Sequence, residues 1–91
     1  MRFSATHDKI SRSQWAFECF VTSFERYEAT KDEHAKAEFY ANAMLFYAYE
    51  TDLLDILSIK ELVENNKDEE AKNEMRNLIK LCSKHYRLNR I

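Results

Sequence analysis

An all-α bundle of antiparallel helices is the fold the sequence predicts, on three observations. The first is a pair of zeros. The 91 residues include no glycine and no proline, where an average chain of that length carries roughly six and five. Tight hairpin turns draw on positive φ, so a many-stranded sheet is hard to build without glycine. The second is apolar spacing at helical period along most of the chain. The third is the stretch from Phe39 to Tyr49, Phe-Tyr-Ala-Asn-Ala-Met-Leu-Phe-Tyr-Ala-Tyr. It is too alanine-rich for a comfortable strand and apolar nearly all round. A helix of that kind must be covered on several sides, which makes it the central helix.

The elements follow in order. Residues 1–9 show no periodicity and read as an arm. Ser11 and Gln14 form a capping box, and Ile10 with Trp15 supplies its hydrophobic staple. From there Ala16, Phe17, Phe20, Val21, Phe24 and Tyr27 gather on one face when projected at about 100° per residue. The first helix therefore spans about 12–29. Thr30 and Glu33 offer a second capping box after a short break, which implies antiparallel neighbours. The second helix is expected over about 31–57, with Phe39, Ala43, Phe46, Tyr47, Leu54 and Leu57 on one side. Glu50 falls in the middle of that side. A carboxylate there requires the helix to bend or end near Glu50-Thr51-Asp52, or requires a basic partner for Glu50.

Ser58 with Glu61, and Leu57 with Leu62, make a third capping box and staple. They place a short helix at about 59–64, with one uninterrupted helix through Ser58 as the alternative. Asn65-Asn66 is the clearest turn, because asparagine is the next-best residue to glycine for a left-handed helix end. The last helix is expected over about 67–88, with Ala71, Met75, Leu78, Ile79, Cys82 and Tyr86 inside. Three long helices and one short one thus form a single domain, 1–91, with no solenoid repeat or low-complexity linker.

Composition limits the function classes. Missing glycine removes the loops that cradle phosphates in P-loop and dinucleotide folds. Cys19 and Cys82 do not make the dense pattern of a disulfide scaffold; two free thiols in a reducing compartment is the simpler expectation, with a bridge between them as the other. No apolar run of about 18 residues and no basic-then-apolar start is present. The expectation is a cytoplasmic protein without a membrane contact.

Candidate chemistry is sparse. His7, His34 and His85 are scattered. Cys82-x-x-His85 and His34-x-x-x-Glu38 each give one pair, where a closed zinc site takes four ligands. No facing Glu-x-x-His pairs of the di-iron kind occur. A cysteine nucleophile needs a base and an oxyanion pocket, and a bundle without glycine turns offers few free amides. The expectation is no enzyme, no metal and no cofactor.

Binding is what remains. Charge is uneven: residues 28–74 carry thirteen acids against five bases, and residues 75–91 carry five bases and no acid. Lys72, Arg76, Lys80 and Arg87 align along the wet side of the last helix with Lys84 nearby, the footprint of a phosphate-binding helix. An acidic chain overall and the lack of a helix-turn-helix spacing argue against that reading. Trp15, Cys19, Thr22 and Arg26 form a second stripe on the first helix, and tryptophan with arginine is the composition of an interface anchor. Leu45 and Tyr49 add more apolar surface than two neighbouring helices readily cover. The leading expectation is a protein-binding module that regulates or inhibits a protein partner, with a homodimer as the simplest cover for the surplus. Small regulators of mobile elements and phages share this profile, an analogy of class alone. A nucleic-acid-binding regulator using the basic stripe is the alternative.

Overall fold

The computed structural model describes the backbone of residues 5–84 and 86, with side chains described from Arg12 onward. Among the described residues four helices follow one another: α1 (Ala5–Thr30), α2 (Glu33–Tyr49), α3 (Asp55–Glu64) and α4 (Asp68–Cys82). Successive helices pack against each other, and α1 with α2 forms the most extensive pair. The fold is an all-α bundle.

Rings fill the α1–α2 seam. Phe20 and Phe39 stack with centroids 5.2 Å apart, Phe24 meets Phe39 at 5.5 Å, and Phe17 meets Phe46 at 5.7 Å. All six residues assigned to the inner face of the first helix are buried. So are Ala71, Met75, Leu78, Cys82 and Tyr86 of the last segment, with Ile79 half-buried beside them. Ser23 lies inside the seam and its hydroxyl donates to the Phe20 carbonyl (3.0 Å). That local bond removes the penalty of burying a hydroxyl.

Helix boundaries differ from the sequence expectation at four places. The first helix begins by Ala5 rather than after Ser11, so residues 5–9 are helical rather than part of an arm; the Ser11 and Ile10 side chains lie outside the described residues. The second helix ends at Tyr49 and does not continue to residue 57. One more turn would have set Glu50 in line with Phe39, Ala43 and Phe46, inside the core. Instead Glu50 leaves the helix at φ −126°, ψ 69°, and its carboxylate accepts a hydrogen bond from the Tyr86 hydroxyl. Of the two sequence options for Glu50 the helix end is realised; in place of the basic partner its carboxylate takes the Tyr86 hydroxyl. Leu54 consequently stands 62% exposed instead of joining the core.

The third difference concerns Ser58, which caps nothing. It lies exposed inside α3, its N–H bonded to the Leu54 carbonyl (3.1 Å). Ile56, Ile59 and Val63 are each fully buried. Their spacing demands an unbroken helix through Ser58, and that packing outweighs a local cap worth about 1 kcal/mol. The last helix ends at Cys82, short of the expected 88, and residues 87–91 lie outside the described residues.

Two left-handed residues stand in for glycine at the turns. Asn66 (φ 61°) ends α3 as expected: its N–H bonds to the Val63 carbonyl (3.0 Å) and that of Lys67 to the Leu62 carbonyl (2.8 Å). This is the paired closure of a Schellman motif. Lys31 (φ 53°) ends α1 with a single bond to the Tyr27 carbonyl (2.7 Å). Its ammonium then reaches Asp68 at 2.8 Å and Glu28 at 3.3 Å. Tyr27 also donates to Asp68, at 3.3 Å. The end of α1 is thereby tied to the start of α4.

Candidate functional site

Among the described residues, α2 is covered on two sides only. Helical projection sets Phe39, Ala43 and Phe46 toward α1 and the core, and Tyr40 and Tyr47 toward α3. The remaining flank carries Ala37, Ala41, Met44 and Ala48, all exposed, with Met44 at 47%. Leu45 and Tyr49 lie half-buried along its α1-side margin. In its C-terminal half this flank holds no charged side chain. An uncovered apolar strip on an already apolar helix is the structural oddity of the fold, because solvent-facing helix positions are ordinarily polar.

The first-helix stripe expected from sequence adjoins that strip. Trp15, Cys19, Thr22 and Arg26 line one shallow groove of about 290 Å³, shared with Glu38 and Asn42 of α2. Trp15 is 56% exposed. The Arg26 guanidinium bonds to the Glu38 carboxylate at 2.6 Å and closes one end of the groove. Such an exposed pair adds under about 1 kcal/mol of stability. The antiparallel register that sets Arg26 beside Glu38, and Phe17 beside Phe46, brings Trp15 level with Tyr49. That register places Trp15 at the same end of the α1–α2 pair as Tyr49, Leu45, Met44 and Ala48. Sequence reasoning singled out Trp15, Leu45 and Tyr49 but not Ala41, Met44 and Ala48, because which flank of α2 its neighbours leave open is set by their packing.

The basic stripe meets different surroundings. Lys72 lies 3.6 Å from both Glu28 and Glu69. Arg76 donates to Asn73 Oδ1 at 3.0 Å. Lys80 and Lys84 are exposed, and Arg87 lies outside the described residues. The stripe thus borders Glu25 and Glu28 of α1 across a groove. That acidic rim weakens the field a phosphate backbone requires.

The two thiols differ in access. Both cysteines are free, Cys19 half-buried and Cys82 buried. Burial first, then Glu50 and Asp55, pushes the Cys82 thiol up to about 11. Burial, then Glu18 and Glu38, raises Cys19 as well. Neither is held as the thiolate that nucleophilic chemistry uses. Among the described residues no three histidine, cysteine, aspartate or glutamate side chains come together as a metal-ligand set. The His7 side chain and His85 lie outside the described residues. In native protein at pH 8, an aromatic disulfide reagent is expected to titrate Cys19 slowly and Cys82 only after denaturant is added. Prompt reaction of both would contradict the burial of Cys82. The folded thiol also keeps its proton to higher pH than the unfolded one. Stability should therefore fall as pH rises from about 9 toward 11, and Cys82→Ala should remove part of that slope.

No helix among the described residues is long and apolar enough to cross a membrane. Compared with known proteins, the chain matches no family model, no curated sequence and no solved structure.

Proposed function

We propose that the chain is a non-catalytic protein-binding module, which regulates or inhibits a protein partner by occupying it through the Trp15–Tyr49–Met44 surface. The observation that supports this most is the exposed flank of α2, without a charged side chain in its C-terminal half, at the same end of the α1–α2 pair as the exposed Trp15. Tryptophan contributes large contact area at low rotamer cost, and Met44 adapts to irregular partner surfaces. Alanines at 41 and 48 let a partner backbone approach closely. A second copy of the chain is one occupant this surface accepts through a two-fold contact. The small-regulator analogy, phage and mobile-element proteins included, supports the regulatory role at the level of class.

The experiment is affinity capture from the native host with the wild-type chain and with Trp15→Ala, paired with sedimentation at several concentrations. The expected result is a partner, or a dimer of the 10.9 kDa chain, that is lost with Trp15→Ala and indifferent to moderate salt. A strict monomer whose captured material is unchanged by Trp15→Ala would overturn the reading. Capture of nucleic acid that disappears with salt and with Arg76 and Lys80 substitutions would install the basic-stripe alternative in its place.

A further inference from the structure

A second concavity lies on the other flank of α1. It is a groove of about 480 Å³ running between α1 and α4. Val21, Phe24 and Met75 form its floor, and half-buried Ile79 stands at its open end. At the other end Glu28 and Lys72 bridge it at 3.6 Å. From Lys72 to Ile79 the groove runs about two helical turns, or roughly 10 Å. Its rims have opposite signs, with Glu25 and Glu28 on α1 and Lys72 and Arg76 on α4.

The two rims are not equally satisfied within the chain. Glu28 holds both Lys31 at 3.3 Å and Lys72 at 3.6 Å. On the α4 side, Arg76 bonds only the Asn73 amide oxygen of its own helix among the described residues. Lys80, one turn further along, has no ion pair among the described residues and is exposed. Beside Ile79, then, stand two cations that no described carboxylate neutralises.

We propose that this groove is a second docking site, which takes about two turns of an amphipathic helix from a partner protein with acidic side chains along the flank facing Arg76 and Lys80. Apolar residues of that helix at i, i+3 or i+4, and i+7 meet Ile79 and the floor. The acidic rim of α1 repels the same flank in the reversed direction, so the charges also set the direction of the bound helix. A nucleic-acid backbone matches this groove poorly, because phosphates gain nothing from the apolar floor and face Glu25 and Glu28. With the Trp15 surface on its other flank, α1 would lie between two independent contacts.

The probe is a synthetic 18-residue helical peptide with a leucine stripe and glutamates on one flank, titrated into the isotopically labelled full chain and followed by amide chemical shifts. A second peptide replaces those glutamates by lysine. The expected result is saturable shifts at Val21, Met75, Arg76 and Ile79 with the glutamate peptide, which binds about tenfold more tightly than the lysine peptide. The double variant Arg76→Glu, Lys80→Glu reverses that preference while its thermal midpoint stays near wild type. Trp15→Ala leaves the titration unchanged, which separates this site from the proposed function. Absence of saturable shifts in the groove, shifts centred on Met44 and Ala48 instead, or equal affinity for both peptides would overturn the proposal. Stronger groove shifts with duplex DNA than with the glutamate peptide would do the same.

Discussion

Replacing Phe46 by alanine is expected to remove about 3–5 kcal/mol of folding stability. Phe46 has no solvent exposure, and its ring meets Phe17 at 5.7 Å, Phe20 at 5.6 Å and Tyr86 at 6.3 Å. Truncation loses the transfer free energy of the ring and leaves a cavity that three aromatic neighbours are too rigid to fill. A chain of this size has only about 5–14 kcal/mol in total, so the variant would be marginally folded at 37 °C. Phe46→Leu keeps most of the volume and should cost far less, under about 1.5 kcal/mol. Urea unfolding followed by circular dichroism measures both. A loss below about 1 kcal/mol for the alanine variant would mean that α1, α2 and the Tyr86 segment do not enclose this ring together.

The second large effect is expected in binding rather than in stability. Ala48 is exposed on the open flank of α2, so Ala48→Glu should change unfolding free energy by no more than about 0.5 kcal/mol. If that flank is covered by a partner, the new carboxylate enters an apolar contact with no base to meet it. Burying an unpaired charge is costly, and at least about 2 kcal/mol of affinity should be lost, roughly thirtyfold. Trp15→Ala should cost a similar amount, as central tryptophans of interfaces do. The contrast between unchanged folding and lost binding is what an interface role requires. Calorimetric titration against the captured partner, or sedimentation if the partner is a second copy, measures the loss. Equal affinities for wild type and Ala48→Glu would leave the open flank as solvated surface only.

Much of this fold was legible because period alone decides which helix faces are buried. The aromatic face of α1, the inner face of α4 and the left-handed Asn66 turn follow from spacing and from the lack of glycine. The α2–α3 junction was not legible in full. Ser58 and Glu61 carry a sound capping signal, yet Ile56, Ile59 and Val63 bury more free energy in a continuous helix than the cap offers. Local chemistry named a boundary that tertiary packing overrode. The site divides the same way. Trp15, Cys19, Thr22 and Arg26 share a stripe at helical spacing, and folding brings them to one groove. Which side of α2 stays uncovered depends on where α3 and α4 settle, and no spacing within α2 encodes that. The α1–α4 groove is hidden from sequence for the same reason, since its rims lie more than forty residues apart in the chain.

The most direct measurement places a photo-crosslinking side chain at position 48, and separately at exposed Asn77 of α4, in the chain expressed in its native host. Irradiation should give a discrete adduct from position 48, whose mass names either a partner or a second copy, and little from position 77. The adduct should vanish when Trp15→Ala is added. No adduct from position 48, or equal yields from both positions, would contradict a binding role for the uncovered flank of α2.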